Sequence, residues 1–147
     1  MDVELSFERP ICAEHLLPLY FQTDWADQRT CEDVEQMLTS TQVLLGAWNG
    51  DRLVAFARAV IDGRYRALID DVIVGGKELG KRIMHALSER LLEVEEVFLR
   101  CDEDHVSYYQ KIGYRAKATC LDWVDRKSQA SFYYFGLVVG SADRQPA

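Results

Sequence analysis

Between Gln42 and Leu91 the hydrophobic period of the chain changes once, abruptly, and that change constrains most of what the chain can fold into. Gln42–Trp48 is mostly apolar and ends at Asn49-Gly50, a pair that tolerates the left-handed backbone of a tight hairpin. Arg52–Ile61 follows as a second extended run and closes at Asp62-Gly63, a turn of the same chemistry; Arg66–Val74 (RALIDDVIV) is a third. Three strands joined by two tight turns predict an antiparallel meander. After Val74 the chain reads Gly75-Gly76-Lys77-Glu78-Leu79-Gly80-Lys81-Arg82, glycine-rich and basic. From there Leu79, Ile83, Leu87 and Leu91 recur at every fourth residue, the spacing of a helix with one buried face.

The flanks complete the pattern. Val3 to about Tyr20 reads as a strand and a short helix. Thr30 stands three residues before Asp33, the signature of a capped helix start, and Val34, Met37 and Leu38 give that helix its period over 31–39. Downstream, Val94–Cys101 predicts a strand, and His105–Ile112 a helix that Asp102 or Asp104 can cap and Gly113 stops. A last hairpin is expected near 116–124 and 131–139, with a loose polar tail over 141–147. A strand–helix–strand crossover beside a meander means an α+β fold with one parallel pair. The expectation is a central mixed, mostly antiparallel twisted sheet of about six or seven strands with about four flanking helices, as one domain over residues 1–140.

Charge and cysteine usage remove several function classes. The formal charge is −7 over 147 residues, so the basic footprint that nucleic-acid binding needs is missing. No apolar run approaches the ~20 residues of a membrane span. The start, MDVELSFERP, has no basic segment followed by an apolar stretch, so no signal peptide is read there. Cys12, Cys31, Cys101 and Cys120 are scattered without paired spacing, which argues against a metal site and fits thiols kept reduced in a cytoplasmic protein.

The chemistry should gather where strand 66–74 meets the glycine-rich turn. A helix N-terminus offers unpaired N–H groups and partial positive charge, and glycine lets a ligand approach the backbone. Gly76, Gly80, Lys77, Lys81 and Arg82 therefore make a candidate pyrophosphate site, against the plain reading of an ordinary strand-to-helix turn. A second group is Ser107-Tyr108-Tyr109-Gln110-Lys111-Ile112-Gly113-Tyr114, whose tandem tyrosines are either core residues or a source of a cleft acid. Asp70 and Asp71 are two carboxylates on one strand, and alternation puts them on opposite faces. His85 reads as a surface residue, His105 as a cleft candidate and Cys101 as a small core residue. Trp25, Trp48, Phe56 and Tyr65 read either as an aromatic wall or as core.

Together these segments resemble the GNAT superfamily of N-acetyltransferases, from about Gln42 to Tyr114. YYQKIGY is similar to the family's aromatic-Tyr-x-x-x-Gly-aromatic signature, whose tyrosine corresponds to Tyr109. LGKRIMHAL resembles the helix that opens under the pyrophosphate of the acyl-CoA. GDRLVAFARAVIDGRYRALIDDVIV looks closest to small bacterial and plastid-type members, some of which acetylate arylalkylamines. The resemblance implies an acetyl-CoA-dependent transferase with a small amine, or a protein amine, as acceptor, no metal, and commonly a homodimer. It also implies that the amides near Val72, Ile73 and Val74 bind the pantetheine arm and polarise the thioester, that Tyr109 is the acid, and that Asp71 is the candidate base. One departure stands out. The family's phosphate loop reads Arg/Gln-x-x-Gly-x-Gly/Ala; with Gly80 on the last position, Glu78 falls on the middle glycine, Gly75 falls on the Arg/Gln, and about four preceding residues are lacking. Either the loop is short by nature or a segment is missing from this sequence, and a carboxylate at Glu78 is expected to repel pyrophosphate. A degenerate fold that binds CoA or a partner without turnover is the competing reading.

Overall fold

The computed structural model describes residues 2–117, 121 and 137–141. The first part of the chain gives β1 (Glu4–Ser6), α1 (Ala13–Tyr20) and α2 (Cys31–Ser40). The meander β2 (Val43–Asn49), β3 (Arg52–Ile61) and β4 (Arg66–Val74) follows, then α3 (Lys77–Arg90) and β5 (Glu96–Cys101). The chain continues as α4 (Glu103–Lys111), β6 (Tyr114–Lys117) and β7 (Leu137–Ser141). Among the described residues the strands form one sheet in the order β1-β2-β3-β4-β5-β7-β6. Its β4–β5 pair is parallel, connected through α3, and the other neighbours are antiparallel. This is the α+β architecture the sequence predicts.

The period-2 alternation of β2 and β3 feeds two separate cores. Val43, Leu45, Ala47, Ala55, Ala57 and Ala59 share one with Ile83, Met84, Leu87 and Leu91 of α3 and its end. The many alanines make that face shallow, so a helix can lie close to the sheet, and each fully buried Leu or Ile of α3 contributes roughly 1.5–3 kcal/mol by leaving water. Trp48, Leu53 and Phe56 form the other core with Leu16, Leu19, Tyr20, Val34 and Leu38 of α1 and α2. The expected cap of α2 is present, with Thr30 Oγ1 accepting from the Asp33 N–H at 3.2 Å.

Local departures from the expected turns have simple causes. Asn49 pairs with Arg52, so the two-residue loop is Gly50-Asp51, and Gly50 takes the left-handed backbone at φ 60°. The second turn is wider: Asp62 Oδ1 accepts from the N–H groups of Arg64, Tyr65 and Arg66 at 2.8, 2.8 and 3.2 Å, organising a four-residue loop over 62–65. The last hairpin exists as β6 and β7. The strand β6 starts at Tyr114 rather than 116, and Ser141 belongs to β7. Residues 118–120 and 122–136 of the predicted hairpin, and the tail from 142 onward, lie outside the described residues.

Candidate functional site

β4 and β5 are paired only from Arg66↔Glu96 to Ile69↔Leu99. Beyond that point β4 runs on to Val74 while β5 ends at Cys101 with β7 on its far edge, so among the described residues the β5-facing edge of β4 over Asp70–Val74 has no strand partner. On the other edge of β4 the register to β3 slips. Arg58 opposes Asp70 and Phe56 opposes Ile73, leaving Asp71 and Val72 against Ala57 alone. This is a β-bulge, and Asp71 occupies the left-handed region at φ 52°, one of the few non-glycine types that tolerates it.

The extra residue shifts the side-chain phase of the strand. Ahead of it Ala67 and Ile69 face the α3 core; after it Val72 and Val74 do, while Ile73 packs with the α1–α2 core. Strict alternation therefore fails at the one place where it was used to separate Asp70 from Asp71. Arg58 donates to both carboxylates, from Nε to Asp71 at 2.8 Å and from NH2 to Asp70 at 3.0 Å. The two aspartates share a face, which corrects the sequence expectation.

Asp71 is 4% exposed and is the only buried charged side chain in the described core. Tyr20 donates its hydroxyl at 2.9 Å, and Arg29, from the α1–α2 connection, donates from both terminal nitrogens at 2.7 and 3.2 Å. Burial pushes the Asp71 carboxyl up, but the hydrogen bonds and charges of Arg29 and Arg58 outweigh it and hold the carboxyl below its ordinary range. Asp70 moves the other way, raised by burial and by the charge of Asp71. Burial and the Asp71 charge raise the Tyr20 hydroxyl, which stays a protonated donor. Arg29 also lies 4.5 Å from the Tyr20 ring centroid and 5.4 Å from that of Trp25. The sequence reading missed Tyr20, Arg29 and Arg58. One signal was available: an arginine inside the otherwise apolar run Leu53–Val60 needs a buried partner, and a double aspartate one strand away supplies it.

Tyr109 lies on α4, its ring edge-on to Tyr108 and Tyr114 at 5.2 and 5.9 Å. Burial raises its phenol well above the ordinary value, and nearby Cys101 at the end of β5 adds to the shift. The phenol is therefore protonated across the physiological range. Cys101 is half-buried beside the same core, its thiol raised by burial. Tyr108 turns toward α3 instead. A Cβ at Gly80 would come within 2.9 Å of its hydroxyl oxygen and 3.5 Å of Val74 Cγ1, so α4, the end of β4 and the first turn of α3 converge at this glycine. Among the described residues the buried Tyr108 hydroxyl has no hydrogen-bond partner.

The turn into α3 is bare. Gly76 is its N-cap at φ 92° with no side-chain cap, and a Cβ at Gly75 or Gly76 would meet nothing within 4 Å. Lys77 and Glu78 are exposed, and Glu78 pairs with Lys81 at 3.3 Å, so part of its charge is answered within the turn. Arg82 donates to the carbonyl of Val3 at 2.8 Å and is directed to β1. The bare N-terminus, the open space around it and the orphaned Tyr108 hydroxyl fit an anionic ligand with a polar arm.

Beside Val72–Gly75, on the α1 side, lies a cleft of about 550 Å³ walled by Leu19, Gln22, Thr23, Asp24, Trp25 and Val54. Of the four aromatic residues suggested as a wall, Trp25 lines this cleft. Trp48 and Phe56 are core, and Tyr65 is exposed at the 62–65 loop. His85 is a surface residue paired with Glu89 at 3.3 Å, and exposed His105 bonds Asp102 at 2.7 Å. Among the described residues no histidine, cysteine or acid cluster is arranged for a metal, and no helix is long and apolar enough to cross a membrane.

Residues 14–120 match the acetyltransferase (GNAT) domain family. The chain is 31% identical over 123 residues to the uncharacterized N-acetyltransferase ycf52 of Porphyra purpurea, spanning 77% of this chain and 70% of that protein. Its fold is similar to a GNAT-family acetyltransferase, SP0256 of Streptococcus pneumoniae, with a TM-score of 0.73 and 25% identity over 86% of this chain and 100% of the other. It is also similar, in fold alone, to an aminoglycoside 6'-N-acetyltransferase from Enterococcus faecium, with a TM-score of 0.68 and 15% identity, each chain covered completely (100%).

Proposed function

Because the chain belongs to the GNAT acetyltransferase family and is an N-acetyltransferase, we propose that it moves an acetyl group from acetyl-CoA to a primary amine by direct transfer. The observation that carries this reading is the unpaired edge of β4 over Asp70–Val74, bounded by the bare N-terminus of α3 and by the tyrosines of α4. An extended polar arm can add to such an edge as a further strand. Alternate amides over Val72–Val74, those that face this edge, are its partners, and the same backbone polarises the carbonyl under attack. The free N–H groups of the first turn after Gly76 and the charges of Lys77 and Lys81 hold the pyrophosphate, while Gly80, whose own N–H bonds the Gly76 carbonyl at 3.2 Å, keeps side chains out of the turn. Bound there, acetyl-CoA supplies an activated thioester.

The cleft walled by Leu19, Asp24, Trp25 and Val54 receives the acceptor. Asp24 is the only ionisable side chain among its described lining residues, which suits a single protonated amine on an apolar or aromatic arm better than a polycation. The cleft opens to solvent, so water beside exposed Asp24 can take the ammonium proton before attack. Tyr109, protonated and near the end of β5, donates to the departing sulfur. Holding both reactants in one crevice supplies much of the remaining acceleration.

The test is acetyl-CoA binding by calorimetry followed by thiol release with a panel of amines. Micromolar binding, about −8 kcal/mol, with amine-dependent thiol release supports the reading. Binding without release from any amine would move the chain to the second reading, a fold that holds CoA or a partner without turnover. Glu78 at the position of the middle glycine is the feature that favours that alternative.

A further inference from the structure

Asp71 is the residue a sequence reading offers as general base, yet its surroundings suit a different task. Four hydrogen bonds from three residues converge on its two oxygens: Tyr20 at 2.9 Å, Arg58 at 2.8 Å, and Arg29 at 2.7 and 3.2 Å. Its side chain is 1% exposed, so neither an amine nor a relaying water reaches it without displacing an arginine. A carboxylate so occupied is a poor proton acceptor. Its backbone, by contrast, is the point where β4 is forced out of register, at φ 52°, and strain of that kind persists only where the surroundings over-determine it.

We propose that Asp71 is a positioning residue: with Arg58 of β3 and Arg29 of the α1–α2 connection it clamps the bulge of β4, and through Arg29 it ties the acceptor wall to the strand on which the thioester is polarised. Each link is present. Asp70 Oδ1 accepts from the Asp71 N–H at 2.9 Å, and Arg58 spans both carboxylates, so the two residues at the bulge are fixed relative to β3. Arg29 lies against Tyr20 and Trp25, and Trp25 lines the acceptor cleft. The strand therefore leaves β5 at a defined residue, and the acceptor wall stands at a defined distance from it. Tyr20 and Asp70 are the remaining titratable groups facing the clamp.

The kinetic part of this inference rests on the acetyl-transfer reading; the structural part does not. Wild type, Asp71→Asn, Arg29→Ala and the double variant are compared for kcat, for the KM of the amine and for acetyl-CoA affinity. Each single variant should lower kcat about 30-fold with acetyl-CoA affinity held within about threefold, and the double should be no worse than the worse single, because one clamp is broken in all three. The acid limb of the kcat/KM profile should survive in Asp71→Asn. Free guanidinium should restore part of the Arg29→Ala rate, and Arg29→Lys should retain more than Arg29→Ala. A base role gives the opposite result: Arg29→Ala near wild type, with the acid limb lost in Asp71→Asn, and that outcome overturns the proposal. Deuterium uptake of peptides covering Ala57–Val74 gives an arm free of turnover. It should rise in both variants, and unchanged uptake also overturns the clamp. If the wild type transfers no acetyl group, the exchange result still decides the clamp, and the failure belongs to the acetyl-transfer reading alone. Should Arg29→Ala not fold, Arg29→Lys carries both arms.

Discussion

The two ends of the same short stretch, the bulge at Asp71 and the turn at Gly75–Gly80, are built in opposite ways. At the bulge, four side chains interlock around one buried carboxylate, and a left-handed aspartate is held by partners from α1, the α1–α2 connection and β3. At the turn, two glycines precede a helix that opens with exposed Lys77 and Glu78 and has no side-chain cap. The first region is preorganised, while the second keeps its N–H groups free for a ligand. A transferase needs both properties, because charge developing in the transition state is best met by dipoles that do not move, whereas a pyrophosphate brings its own charge to an open helix end.

That contrast can be broken at several strengths. The largest expected effect is on folding. Asp71→Ala leaves Arg29 without a carboxylate and Arg58 with Asp70 alone, and should cost about 3 kcal/mol in urea unfolding, whereas Gly75→Ala should stay within about 0.5 kcal/mol. The pH dependence sharpens this. With its folded pKa depressed, Asp71 contributes stability above its unfolded value of about 3.9 and loses it as pH falls through the lower folded value. Asp70 is raised by burial, so its protonation comes first and relieves a cost. Acid unfolding of the wild type should therefore set in below about pH 4, and a steep loss already above that pH would contradict the buried pair.

Chemistry comes next. Tyr109→Phe should lower kcat about 100-fold or more, the scale of a lost general acid, with acetyl-CoA affinity held. Unchanged turnover would remove Tyr109 as the acid. A smaller effect is expected at the junction of the two regions. Tyr108→Phe deletes a buried hydroxyl with no partner, so the ligand-free protein should gain about 1 kcal/mol, read by thermal melts. A loss of stability would mean that the hydroxyl is satisfied in solution. The smallest concerns the turn: Lys81→Glu should weaken acetyl-CoA binding at low salt, with the loss shrinking as salt rises, because exposed charges are screened. A loss independent of salt would place the pyrophosphate away from Lys81.

Much of the architecture was legible in residue order. The mostly apolar runs ended by Asn49-Gly50 and Asp62-Gly63 located β2, β3 and β4 to within a residue, and the four-residue recurrence from Leu79 to Leu91 located α3. The site was legible in part: the bare turn before α3, the paired tyrosines and the aspartates of β4 were all singled out. The roles of those aspartates were not, because alternation was assumed through a residue that breaks it. Arg29, 42 residues away from Asp71, carried no local signal at all.

Spacing and turn chemistry are local properties, so the sequence by itself determined the strands, the crossover helix, the glycine N-cap and the tyrosine pair on α4. Only the tertiary structure decided that β4 slips by one residue at Asp71, that both carboxylates meet Arg58, and that Arg29 closes over them. Those outcomes depend on what a strand finds beside it. A buried charge adopts whatever backbone its partners allow, and here the partners come from three separate parts of the chain.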